Sequence, residues 1–241
     1  MAVAEIIDRR RVGELTEREL ARFLDTHRRS LELIERGRPL MPRGVPMGWM
    51  ASLWGHPPVY VDRGEGAHFT DTDGNRYLDM NIADTSMFCG YAPEPVVRAV
   101  SERAAAGSQF LLPSEDALWV SEELGRRFGR PRWQFTLSAT LANTEAIRIA
   151  RHLTGRPTLL MFAGKYHGHA DEMLVTEADG RIVPEYLGLL PQVASNAALF
   201  EFNDVGALEG RLAVGDVACV LAEPALTNVG VVEPDDGFHA A

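Results

Sequence analysis

The sequence predicts an α/β protein: a mostly parallel sheet flanked by helices, led in by an N-terminal helix and a small antiparallel meander. Three observations carry this expectation. From about residue 95 onward, segments of helical apolar period alternate with short apolar runs of strand length. The run 217–222 is apolar throughout, the pattern of a strand buried inside a parallel sheet. Between residues 59 and 80 the apolar period falls to two, broken by turn residues at hairpin spacing.

Taken in order, Thr16-Glu17-Arg18-Glu19 has capping-box spacing and opens a predicted helix over 16–36. Its apolar stripe is Leu20, Phe23, Leu24, Leu31 and Ile34, and Pro39 and Pro42 end it. A Gly/Pro-rich connector carrying Trp49 and Trp54 follows. Short strands are expected at 59–61, 67–69 and 76–78, with a turn at Asp73-Gly74-Asn75. Helices follow at 95–106 and at 114–128, the second with Ser114 as N-cap. A strand at 133–137, a helix at 140–153 and a strand at 158–163 come next. After an irregular stretch there is a short helix at 205–212, and then the apolar strand 217–222, read as a central strand. The expected division is residues 1–80 (helix, connector, meander) and 81–241, an incomplete larger ligand-binding domain.

With 46% hydrophobic residues, the 241-residue chain can bury a sizeable core. A net charge of −10 argues against a nucleic-acid partner, which needs a basic face. Cys89 and Cys219 are far apart and lack metal-ligand spacing, which fits a reducing, cytoplasmic setting. The N-terminal stretch has no long apolar run, so neither a leader nor a membrane span is expected.

Four groups of residues can carry chemistry. Ser138-Ala139-Thr140 stands between a predicted strand and a predicted helix, where unpaired N–H groups and the helix dipole attract phosphate; the plain alternative is that the two hydroxyls cap the helix. Tyr166-His167-Gly168 follows the strand 158–163, and its tyrosine is either a ring for a flat ligand to stack on or an ordinary loop aromatic. Glu223-Pro224 ends the apolar strand, on the side where α/β proteins bind ligands, with Asn228 and Gly230 close behind. His167, His169 and Asp171 also fit the first five positions of an HxHxDH metal pattern, the mark of a metal-dependent hydrolase, but Glu172 stands where that pattern needs histidine.

These motifs, in this order, resemble the cofactor pocket of class III aminotransferases, the family of pyridoxal 5′-phosphate (PLP) enzymes that includes glutamate-1-semialdehyde aminomutase. The resemblance runs from about residue 39 to the end and implies the large domain of PLP fold type I. Ser138, Ala139 and Thr140 stand where the family has Ser-Gly-Thr on the phosphate, with Leu141-Ala142-Asn143 in place of Glu-Ala-Asn. Tyr166 and His167 match its Tyr-His-Gly, whose ring lies over the pyridine. Glu223 and Asn228 would sit near the cofactor ring and its 3-hydroxyl. Upstream, Asp71-Thr72-Asp73-Gly74 matches the family meander, and Cys89-Gly90-Tyr91-Ala92-Pro93 replaces a Gly-His-x-x-Pro segment. Pro42-Arg43-Gly44-Val45 resembles the opening of the aminomutase substrate loop, which brings Met50, beside Trp49, to the place of a substrate-gripping arginine.

The resemblance implies PLP as cofactor, an amino acid and a keto acid as substrates, and a homodimer. It also implies a downstream lysine to hold the cofactor aldehyde. The sole lysine here is Lys165, directly before the tyrosine, a position the family does not use for that purpose. The chain alone is therefore expected to lack transaminase activity. The alternative is a non-catalytic remnant of this fold that binds a partner subunit.

Overall fold

Asp8, not Thr16, starts the first helix of the computed structural model, which describes residues 7–240. Helix α1 (Arg9–Thr26) is capped by the Asp8 carboxylate, which accepts from Arg11 N at 3.1 Å. Thr16 lies inside it and its hydroxyl donates to Val12 O, so the capping-box reading fails. The single helix expected over 16–36 is two helices, parted at His27 (φ −125°, ψ 35°) from α2 (Arg28–Gly37). The break is decided at a distance. Asp73, 44 residues on, accepts from Arg29 N at 2.6 Å and Ser30 N at 3.0 Å, amides that an unbroken helix would have used internally.

The chain divides into two compact units, Met1–Pro113 and Ser114–Ala241. In the first, β1 (Val61–Glu65), β2 (His68–Asp71) and β3 (Arg76–Leu78) form the antiparallel meander. The predicted first strand overlaps the observed one only at Val61: Tyr60 O still accepts from Thr72 N at 2.9 Å, but Tyr60 N donates to Ser30 Oγ and its hydroxyl to Gly44 O. Asp71 is buried, which by itself raises a carboxyl pKa; hydrogen bonds from Asn75, Tyr77 and Asp73 outweigh that and hold it below the ordinary range. Helix α3 (Glu94–Ala105) also belongs to this unit.

The second unit holds the parallel sheet. Helix α4 (Glu115–Phe128) starts at Ser114, although that hydroxyl turns to Asp116 rather than to a helix amide. No strand forms over 133–137, contrary to the sequence expectation. An extended apolar segment becomes a strand only with a partner, and here Leu137 is 97% exposed. Helix α5 (Ala139–Thr154) ends at Gly155, whose positive φ of 67° terminates it. Then come β4 (Thr158–Phe162), the hairpin β5 (Val175–Ala178) and β6 (Arg181–Pro184), β7 (Ala197–Phe200), α6 (Val205–Leu212) and β8 (Val217–Val220). The sheet order is β7-β4-β8, all parallel.

Strand β4 is therefore central, buried at all five positions and paired on both sides. Leu159 and Met161 pack with Ile147 of α5 and with Met173 and Val175. Phe162 meets Leu226 and Phe238 in a second cluster. Strand β8 pairs with β4 on one side and has no strand on its outer side among the described residues, an unpaired edge of the kind expected, and Val220 is 40% exposed.

Candidate functional site

The site is built where α5 begins and where β4 and β8 end. Ser138 does cap α5, its Oγ accepting from Leu141 N at 3.2 Å, so the plain reading of that residue is correct as geometry. Capping leaves the hydroxyl proton and the first helix amides, at Ala139 and Thr140, with no i−4 acceptor. They form the positive end of a 16-residue helix.

The loop after β4 is stitched to this helix start. His169 N donates to Thr140 Oγ1 at 3.1 Å, and Asn143 Nδ2 donates to His167 O at 2.8 Å. Gly168 is what permits the approach. At φ 107° it lies so close that a Cβ would collide with Thr140 Oγ1 and sit 3.0 Å from Thr140 Cα. Tyr166 is left 51% exposed, its ring edge-on to His169 at 6.1 Å.

A second tie joins the ends of β4 and β8. Glu223 Oε1 accepts from Tyr166 N at 2.9 Å, while its Oε2 accepts from Thr227 N and Oγ1 at 3.0 and 3.1 Å. Both carboxylate oxygens are thus engaged in holding two loops together. Asn228 is exposed, with Nδ2 3.4 Å from Gly164 O.

His167 is 8% exposed, and its Nε2 is buried without a hydrogen-bond partner among the described residues. Burial pushes its pKa below the ordinary histidine range, Lys165 adds to that, and Glu223 opposes it. Lys165 is also buried. Its Nζ donates to Val175 O at 2.7 Å and lies 3.6 Å from Glu185, and burial lowers its pKa while Glu185 opposes the shift.

The structure thus brings together Ser138, Ala139, Thr140, Tyr166, His167, Glu223 and Asn228 at one end of the parallel sheet. Trp49 and Met50 lie on a 3-10 turn (Gly48–Ala51) of the first unit, Trp49 exposed and Met50 half-buried. The metal alternative needs correction. His167 turns inward and is buried, whereas His169 is exposed and stacks on Tyr186 at 6.5 Å, so the two rings do not converge. Among the described residues no group of three His, Cys, Asp or Glu side chains could hold a metal ion. Sequence reasoning missed Thr227 and Glu185, each of which acts through a partner at least four residues away and stands in no recognisable pattern. Asn143 stood in the Leu141-Ala142-Asn143 match, but its bond to His167 O could not be read from it.

For this arrangement the fit to a phosphorylated, flat ligand is good. The helix start offers amides and a hydroxyl, and a half-exposed ring lies on the loop bonded to it. Among the described residues no helix is long and apolar enough to cross a membrane.

Comparison with known proteins agrees. The family model Aminotransferase class-III matches residues 50–241. Glutamate-1-semialdehyde 2,1-aminomutase from Halorubrum lacusprofundi is 34% identical over 217 residues, 88% of this chain and 48% of that protein. The crystal structure of a glutamate-1-semialdehyde aminomutase from Pseudomonas aeruginosa superposes with a TM-score of 0.90 at 44% identity, over 97% of this chain and 52% of that one. A variant of that enzyme is solved in complex with PMP. An omega-transaminase from Sphaerobacter thermophilus gives a TM-score of 0.79 at 30% identity, over 88% of this chain and 50% of that one. The chain spans about half the length of the relatives it matches.

Proposed function

We infer, from the class III aminotransferase family to which this chain belongs, that its site serves the PLP-dependent movement of an amino group. The parallel sheet flanked by helices is that of the fold type I enzymes. The proposed substrates are an amino acid and a keto acid, or a single substrate whose amino group migrates. Homodimerisation and a cytoplasmic setting belong to the same proposal. The observation that carries it is the bond from His169 N to Thr140 Oγ1, which fixes the tyrosine-bearing loop on the start of α5.

Bound PLP supplies an electron sink for negative charge at the substrate α-carbon. The chain's own residues do the rest. The Ser138 hydroxyl and the Ala139 and Thr140 amides would bind the phosphate against the helix dipole. Tyr166 would cover one face of the ring and exclude water from it. Glu223 holds Tyr166 in place through the backbone amide. Asn228, now 3.4 Å from Gly164 O, would supply an amide near the cofactor's 3-hydroxyl, and buried His167 is held to α5 through its carbonyl by Asn143.

Lys165 does not serve as the aldehyde-holding amine, because its Nζ is buried and engaged by Val175 O and Glu185. The 241-residue chain alone is therefore expected to bind PLP weakly and to turn over nothing. The test is a PLP titration with inorganic phosphate as competitor, alongside an amino-transfer assay over several donors. Ser138→Ala, which removes a phosphate donor, and Thr140→Val, which removes the acceptor of His169 N and so loosens the Tyr166 loop, should each weaken PLP binding about fivefold, the value of one hydrogen bond near 1 kcal/mol. Binding indifferent to both substitutions overturns the phosphate assignment. Turnover abolished by Lys165→Ala overturns the reading of Lys165.

A further inference from the structure

Lys165 has no part in the proposed cofactor contacts, yet it is 8% exposed and takes its ammonium into the second unit's core. Such burial is unfavourable. An ammonium removed from water costs several kcal/mol unless it is paired and hydrogen-bonded, and a methionine of similar length would pack there without that penalty. What the lysine makes that a methionine could not is a specific attachment. Its Nζ donates to the carbonyl of Val175, the first residue of β5, at 2.7 Å. It also lies 3.6 Å from the carboxylate of Glu185, the residue after β6. Glu185 N in turn donates to Leu174 O at 3.0 Å, closing the two ends of the hairpin on each other. One ammonium therefore grips both strands at the base of the hairpin.

The neighbouring residues repeat the contact on the outside. Tyr166 follows Lys165 and Tyr186 follows Glu185, with His169 between their rings, 6.1 Å from the first and stacked at 6.5 Å and 24° on the second. Two consecutive pairs, Lys165-Tyr166 and Glu185-Tyr186, thus meet by charge inside and by rings outside. On its other side Tyr166 is held by its amide bond to Glu223. The loop is gripped from the hairpin and from the end of β8.

We propose that Lys165 is a positioning residue, whose clamp on the base of the β5–β6 hairpin sets the height and tilt of Tyr166 before any ligand arrives. The clamp itself is independent of the cofactor; only its consequence for ring stacking rests on the PLP reading above. The ammonium works through Tyr166 and makes no contact with the cofactor.

The experiment compares the full chain with Lys165→Met, Lys165→Arg and Glu185→Gln by two readouts. The first is amide hydrogen exchange at Tyr166 and His169, whose N–H groups are bonded to Glu223 and Thr140. Lys165→Met should speed exchange at both about tenfold or more, a loss near the size of one charge-assisted bond, with the amides of β4 and α5 unchanged. Lys165→Arg should restore most of the protection, and Glu185→Gln should fall between. The second readout is affinity for PLP against affinity for inorganic phosphate. Lys165→Met should weaken PLP and leave phosphate binding unaltered, because the helix start is untouched.

Unchanged exchange at Tyr166 in Lys165→Met overturns the proposal. So does an equal loss of protection throughout β4, which would make Lys165 a mere core residue. Should Lys165→Met fail to fold, Glu185→Gln decides by the same local criterion. A chain that binds no PLP in any form sinks the cofactor reading, while the exchange data still decide the clamp.

Discussion

At the scale of single residues, Gly168 and His167 make the sharpest demands. Gly168 combines a positive φ with an approach to Thr140 that leaves no room for a methyl group. Gly168→Ala should destabilise the second unit by about 1–3 kcal/mol, the usual penalty for a side chain forced into such backbone, and should remove PLP binding. A denaturant melt and a PLP titration on the same preparation check both; a variant as stable as the parent would refute the packing argument. His167 gives a pH prediction. Burial places its folded pKa below the ordinary 6.5, so the unfolded chain takes up a proton first as pH falls. Stability contributed by the neutral ring is fully present above 6.5 and is lost progressively as pH drops toward the depressed folded value. Urea melts at neutral and mildly acidic pH should show a steeper acid loss for the parent than for His167→Phe. Equal slopes would mean that the imidazole is not held neutral. Lys165 could be counted from the sequence, but its burial could not.

Elements show what local pattern can and cannot specify. Helix α6 and strand β3 lie where periodicity places them, because their signals are local: Asp204 caps α6 through Ala207 N, and β3 follows an Asp-Gly turn. The β5–β6 hairpin was legible in principle, since Asp179-Gly180, both at positive φ, is a two-residue turn between alternating segments. The first helix fails for the opposite reason. Its interruption depends on Asp73, whose two carboxylate oxygens supply the missing cap of α2. Asp73→Ala should therefore cost the first unit about 1–2 kcal/mol, as lost caps do, and deprotect the first-turn amides of α2 while those of α1 exchange as before. Exchange unchanged at Arg29 and Ser30 would show that the cap carries no weight. In the sheet, Met161→Ala should cost about 2–5 kcal/mol, because β4 is buried on both faces and cannot collapse around the void. A loss below 1 kcal/mol by chemical denaturation would contradict that centrality.

For the whole molecule, the exposed apolar surface sets expectations in solution. Leu111, Leu112, Leu118, Trp119, Leu137 and Leu153 are all exposed, and β8 has no strand on its outer side among the described residues. Unpaired sheet edges and exposed apolar side chains favour association. Expressed by itself, the 241-residue chain should self-associate or be poorly soluble. Sedimentation velocity across a wide concentration range checks this, and a monodisperse monomer with one cooperative melt would sink it.

Local sequence determined the α/β class, the order of most elements and the phosphate-type helix start at Ser138-Ala139-Thr140, because apolar period and capping residues act within a few positions along the chain. The ordered motifs determined the family. Tertiary structure alone decided the rest: that β4 pairs with both β7 and β8, that 133–137 forms no strand, that α1 and α2 part at His27, and that Glu223 and Lys165 fasten the Tyr166 loop. The physical reason is common to all four. A strand needs a neighbour, a broken helix needs a cap, and a buried charge needs a partner; each that was found came from at least ten residues away, and 133–137 found none among the described residues.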